Sequence, residues 1–407
     1  MTAHNSADRS GSGKASTVSC MNCPLSRGAV LERDQGHRWL TYPIVFAMRL
    51  DDFGGTDPSK KEQAMNHLLK IAALAILTLT FSAQAQDYQT GLADLKITDR
   101  TGHRDLKGYV WYPTSQTEGL ATHHANPVWA GIEAIAEAPV APGRFPLVVV
   151  SHGMYGNAMN QSWLAADLAR RGYVVAAISH PGTSTWLRDA DDARQMWERP
   201  KDISRLIDHL LASSSLSGTI DPDRIFMAGH SLGGFTAVEL AGGRYDRETF
   251  KTYCAAHPDE LTCDIFDRWN IGKTPEDRAA MQADLSDPRL RGIAVFDLGG
   301  TQAFSPASLN EIKTPLLVIG APEDIHGLDL DVESRALVAA LPKSSVTYLE
   351  PAGLAHFDFL GECTENGLAI LAEEEPADRF VCIDGTTERR ALHAMIADAV
   401  ATFFAAQ

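Results

Sequence analysis

No run of basic residues interrupts the acidic balance of this chain. In 407 residues, 36 Lys and Arg face 52 Asp and Glu, a formal charge of -16. That speaks against nucleic acid and against an anionic membrane surface as partners, because both need a cationic face. The acidity itself is read as a device for solubility. Metal and nucleotide motifs are missing too. There is no His-Glu-x-x-His, no set of paired zinc cysteines, no Gly-x-x-x-x-Gly-Lys and no Gly-x-Gly-x-x-Gly, so no cofactor, metal or otherwise, is expected. Internal repeats are absent. The most apolar stretch, Ile71–Phe81, is too short to span a bilayer comfortably, so no stable membrane anchor is expected. Cysteine is scarce, at six residues.

What is there is an ordinary globular composition, 44% apolar and 22% charged, enough for one large α/β domain or two smaller ones. The beginning differs from the rest. Residues 1–64 mix Ser, Gly and charge without a sustained period of 2 or 3.6. Met65 then opens a basic n-region, a short apolar h-region and the Ala-x-Ala site Ala83-Gln84-Ala85, the pattern of a secretory signal peptide. We therefore expect translation to start at Met65, residues 65–85 to be a signal peptide, residues 1–64 to be an upstream extension without structure, and residues 86–407 to form the mature domain in the periplasm or outside the cell. A buried helix behind a disordered tail is the alternative. Without residues 1–85 the balance is 27 Lys and Arg against 45 Asp and Glu, a charge of -18. Cys20 and Cys23 would go with them. Cys254, Cys263, Cys363 and Cys382 remain, an even number in an exported chain. Proximity favours Cys254–Cys263 and Cys363–Cys382 as disulfides.

From about residue 95 onward, strand and helix patterns alternate. Leu147–Ser151, Tyr173–Ile178, Ile225–Ala228, Ile293–Phe296, Leu316–Ile319 and Ser345–Leu349 are short apolar runs, the mark of strands covered on both faces. Ser162–Arg171, Asp202–Leu211, Val332–Leu341 and Arg389–Phe404 carry helical periods. The expected fold class is α/β, a mostly parallel central sheet with helices on both faces. Residues 243–291 break the rhythm and are expected to form a small cap excursion that could shape a pocket. Residues 114–143 find no place in this scheme.

The chemistry starts at Gly229-His230-Ser231-Leu232-Gly233-Gly234, between an apolar run and a helix-like run. In that context Gly-x-Ser-x-Gly is a nucleophile elbow. The glycines are needed because a Cβ at either position would strike the neighbouring strand or helix. A serine there sits at a helix N-terminus, which favours an oxyanion. It needs a base, and His356, on the loop after the last strand, holds the right place in the chain order. The alternative is a loop histidine capped by Asp358. For the acid that orients the imidazole, Asp324 is favoured, with Asp297 and Glu323 as alternatives. The oxyanion donors expected are the backbone N–H groups of Leu232 and Met154, the latter in Ser151-His152-Gly153-Met154-Tyr155-Gly156. His152 and the His180-Pro181-Gly182 turn are read as structural.

These motifs in order, with Phe304–Leu309 and His356-Phe-Asp-Phe-Leu360 near a cysteine, resemble the bacterial dienelactone-hydrolase-like α/β-hydrolases. Those in turn are similar to the platelet-activating-factor acetylhydrolase group. The resemblance spans about residues 95–405. It implies the α/β-hydrolase fold and hydrolysis of a small-molecule carboxylic ester. It also implies Ser231 as nucleophile, His356 as base, and Met154 and Leu232 as oxyanion donors. Two departures matter. True dienelactone hydrolases use cysteine where this chain has Ser231. In the acetylhydrolase group the acid follows the earlier strand, matching Asp297; in many other α/β-hydrolases it follows the later one, matching Asp324. The expected activity is a serine esterase working through an acyl-enzyme. A phospholipase-like or polyester hydrolase with the same triad, and an inactive binding protein on this scaffold, are the alternatives. Oligomeric state is not fixed by these features.

Overall fold

The structure is a computed structural model that describes residues 88–323 and 328–407. The signal-peptide pattern, the upstream extension and Cys20/Cys23 lie outside the described residues. The strands are β1 (Gln89–Ile97), β2 (Leu106–Thr114), β3 (Ala121–His123), β4 (Ile132–Ala136), β5 (Phe145–Ser151), β6 (Val174–Ser179), β7 (Thr183–Ser184), β8 (Leu187–Arg188), β9 (Ile220–His230), β10 (Leu290–Phe296), β11 (Leu316–Ile319) and β12 (Val346–Leu349). Among the described residues ten of them form one sheet, ordered β12-β11-β10-β9-β5-β6-β2-β1-β4-β3. From β12 to β6 every pair is parallel. The β6–β2 and β2–β1 pairs are antiparallel. β7 and β8 make a separate short hairpin.

The central stretches of β5, β6, β9, β10 and β11 are apolar because their side chains alternate between two cores. Val149, Met227, Val295 and Val318 point to one face, against Ile203, Leu206 and Leu210 of the helix Glu198–Ala212 and Phe235 and Val238 of the helix Leu232–Ala241. Val148, Phe226, Phe296 and Leu317 point to the other, against Leu164 and Leu168 of the helix Ser162–Arg170 and Ile396, Val400 and Phe404 of the helix Arg389–Ala405.

Strand order reverses between β5 and β9. The chain leaves β5 for β6 on one side and returns to β9 on the other. In open α/β sheets a crevice forms at such a point, outside the carboxyl ends of the strands. Here those ends are Ser151, beside Gly229, and His230, beside Phe296.

Three segments escaped the sequence pattern. The unplaced connection 114–143 carries β3 and β4. Its Trp129 bridges to Cys363, and the Ala130 N–H donates to the Glu362 carbonyl. β1, too, extends the sheet earlier than the pattern suggested. Residues 243–291 hold three helices, Arg247–Ala256, Leu261–Arg268 and Pro275–Met281. The first two are joined by the Cys254–Cys263 disulfide. The second disulfide, Cys363–Cys382, closes the segment after His356. A Cys363→Ser/Cys382→Ser variant should lose about 2–4 kcal/mol of stability. The check is thermal unfolding of the variant beside the native protein, with and without reductant. Reductant should lower the native Tm by more than that of the variant, which keeps only Cys254–Cys263.

Candidate functional site

The elbow is built from backbone crowding. Ser231 has φ 56° and ψ -119°, a conformation costly for any residue with a Cβ. It persists because both neighbours along the turn are pressed against other backbone. A Cβ on Gly229 would lie 2.1 Å from the Gly233 carbonyl oxygen; one on Gly233 would lie 2.0 Å from that of Ser151. The Ser231 N–H then donates to the Phe296 carbonyl at 2.9 Å. The strained turn is thus anchored to β10, and Ser231 tops the helix Leu232–Ala241.

Asp297 directly follows β10 and is also at positive φ, 39°. Asp297 is nearly buried, at 3% exposure. One carboxylate oxygen accepts the Ala321 N–H at 3.0 Å. The other lies 2.7 Å from Nδ1 of His356. His356 stands at the start of a short turn, His356–Phe359, after β12. Its backbone is held from below by His230, whose Nε2–H donates to the His356 carbonyl at 2.9 Å. Burial pushes the His230 imidazole well below the usual histidine range, so it stays neutral and serves as a fixed donor. Asp358 does not cap the His356 ring. It accepts from the Ala355 and Gly385 N–H groups and from Arg389 Nε, which secures the loop.

Among the three carboxyls considered for the acid, Asp297 meets His356. Glu323 is turned away and accepts from the Thr386 hydroxyl at 3.2 Å. Asp324 lies outside the described residues. The turn after Asp297 is clamped by buried Glu333, which accepts the N–H groups of Gly300 and Thr301 at 2.9 and 2.7 Å. Burial lifts this carboxyl to about 7 against those two bonds.

Ser231, His356 and Leu232 line one cavity of about 440 Å³ with Met154 and Tyr155. The loop after β5 is pinned by Tyr155 N–H to Thr183 O, 2.7 Å, and by Gly156 N–H to Gly153 O, 3.1 Å. Among the described residues the N–H groups of Met154 and Leu232 donate to no protein acceptor. The walls come from far along the chain. The excursion contributes Ile265, Phe266 and Trp269, and the Trp269 indole N–H donates to the Tyr155 hydroxyl at 3.2 Å. The connection 114–143 contributes Trp129 and Ile132, and the disulfide-closed segment Phe380 and Val381. Trp186, at the tip of the β7–β8 hairpin, stands 67% exposed on the rim.

A second serine–histidine–aspartate row lies beneath. Ser151 Oγ is 3.0 Å from His180 Nε2, and His180 Nδ1 is 3.0 Å from Asp202. All three side chains are fully buried, and none lines the cavity. From the sequence alone His152 and His180 read as structural, and Asp202 and Arg199 carry no signal of a role. Their partners are remote in sequence, and nothing local signals the row.

A strand–elbow–helix at the reversal of a parallel sheet, with a histidine–carboxylate pair beside it, defines an α/β-hydrolase scaffold. The model of the alpha/beta hydrolase family matches residues 147–365, just over half of the chain, and the chain belongs to that family. It is 26% identical over 283 residues to a bis(hydroxyethyl) terephthalate hydrolase of Streptomyces coelicolor, covering 65% of this chain and 74% of that protein. It is 33% identical over 213 residues to cutinase est2 of Thermobifida alba, covering 52% of each. A ferulic acid esterase structure from Streptomyces cinnamoneus superposes with a TM-score of 0.54 at 21% identity, covering 79% of this chain and 91% of that one. That likeness is one of fold.

Proposed function

We propose that this chain is a serine hydrolase of carboxylic esters, with Ser231 as nucleophile, His356 as general base and acid, and Asp297 as the orienting carboxylate. The observation that carries the reading is His356, held through Nδ1 by the buried Asp297 behind it, lining one cavity with a strained Ser231. With Nδ1–H held by Asp297, Nε2 of His356 is the nitrogen that takes the Ser231 proton. The hydroxyl oxygen attacks the ester carbonyl, and the N–H groups of Leu232 and Met154 receive the oxyanion. His356 returns the proton to the leaving alcohol. Water, deprotonated by the same nitrogen, then releases the acid and restores the serine. No metal or organic cofactor enters these steps.

The relatives are ester hydrolases, among them a bis(hydroxyethyl) terephthalate hydrolase and a cutinase. The cavity supports an aromatic or bulky apolar ester, since Trp129, Tyr155, Phe266, Trp269 and Phe380 face it. Export fits both disulfides, which persist in oxidising compartments. Among the described residues no helix is long and apolar enough to cross a membrane.

The test is a fluorophosphonate probe followed by peptide mapping. A single adduct on the peptide carrying Ser231 supports the reading. An adduct on Ser151, or none at all in a protein that hydrolyses p-nitrophenyl butyrate, overturns it. Turnover of bis(hydroxyethyl) terephthalate against p-nitrophenyl acetate then ranks the substrate classes.

A further inference from the structure

We propose that the buried row Ser151–His180–Asp202, together with Arg199, is a positioning network that sets the oxyanion loop, and is not a second reaction centre. The inference rests on the functional reading above, because a loop can only be set for a reaction that occurs there.

The row resembles a triad in connectivity but not in access. Ser151 and His180 are at 0% exposure, and the serine hydroxyl is already engaged from two sides. It donates to His180 Nε2, and it accepts from Arg199 Nη2 at 3.1 Å. Burial holds both His180 and His152 well below the usual histidine range. A neutral His180 has its Nδ1–H on Asp202, which a bidentate Arg104 grips at 2.8 Å through both oxygens. Every polar atom in the row therefore has a partner, and no substrate carbonyl can approach.

What the row does touch is the machinery above it. Arg199 is fully buried on the helix Glu198–Ala212 and reaches three segments that meet at the site. It donates to Ser151 Oγ at the end of β5 and to the His152 carbonyl just after it, to the Thr183 hydroxyl of the hairpin, and to the Thr236 hydroxyl of the helix behind Ser231. His152 adds two more ties: its Nδ1–H donates to the Gly153 carbonyl at 2.7 Å, and its Nε2 accepts the His180 N–H at 3.0 Å. Thr183 in turn receives the Tyr155 N–H on its carbonyl. The residues on both sides of Met154 are thereby fixed, while the Met154 N–H itself is spared. A Cβ on Gly153 would come within 3.1 Å of the Ser231 Cβ, so this loop already lies against the nucleophile. A small displacement would move the donor relative to the oxyanion, and misplacement of about 1 Å can cost on the order of 100-fold in rate.

The test uses the full chain with Arg199→Met, Arg199→Lys and Ser151→Ala. The burst of p-nitrophenol counts competent sites, so kcat is expressed per site and misfolded protein drops out. Arg199→Met should lower kcat per site by about 10- to 100-fold with KM within about twofold, and should slow phosphonylation of Ser231 in parallel. Arg199→Lys should recover part of that loss. Ser151→Ala, which keeps the volume of the site, should lose less in the same pattern. If Arg199→Met yields no folded protein, Ser151→Ala and Arg199→Lys carry the decision. Unchanged kcat per site in the folded variants, whatever their Tm, overturns the positioning role. A native enzyme that Ser231→Ala fails to disable overturns the functional reading itself, and the two failures are therefore distinct.

Discussion

Ser231→Ala should abolish the burst with p-nitrophenyl acetate and lower kcat by about four to six orders of magnitude. The size follows from what alanine removes. In the proposed mechanism the hydroxyl is the atom that forms the acyl-enzyme, and the cavity it lines also holds His356, which is paired with Asp297. Ser151 has such a couple, but it is sealed under the sheet end. Residual rate should come from the two backbone N–H groups and from binding alone, and it should show no burst. Alanine also relieves nothing of the strained φ of 56°, so the fold should survive with little change in Tm. Stopped-flow with acetate and butyrate esters checks it. Equal bursts in native and variant proteins would remove Ser231 from the mechanism.

Asp297→Asn is the second large effect, about 10⁴-fold in kcat. An amide of the same shape can present its NH₂ to Nδ1 of His356. The imidazole would then carry its proton on Nε2, the nitrogen that must accept the Ser231 proton. The charge that stabilises the imidazolium would be gone as well. The change also weakens the bond from the Ala321 N–H, so a modest fall in Tm should accompany it. Asp324→Asn and Glu323→Gln are the comparison. Should Asp324→Asn carry the loss while Asp297→Asn keeps its rate, the orienting acid belongs to the later strand.

The sequence by itself determined the parallel sheet, because strand segments covered on both faces must be apolar, and Leu147–Val150, Val174–Ile178, Ile225–Ala228, Ile293–Phe296 and Leu316–Ile319 are. It determined the elbow, since only glycine tolerates the approach of backbone at 229 and 233. It pointed to His356 through chain order and to both disulfides through proximity. It did not determine the partner of His356. Asp297, Glu323 and Asp324 all follow strands of the right kind. The choice depends on strand order in space: β10 adjoins β9, so its end brings Asp297 beside the elbow. Nor did it place residues 114–143, whose short strands add to the sheet edge and whose Trp129 is positioned by Cys363 far along the chain. Arg199 is the clearest case. In the sequence it is one charged residue just ahead of the helical run Asp202–Leu211. Tertiary packing buries its guanidinium, and a buried cation must find acceptors; it finds them on three separate segments. Local pattern encodes what a residue does to its neighbours in the chain, and only the folded sheet brought these groups together.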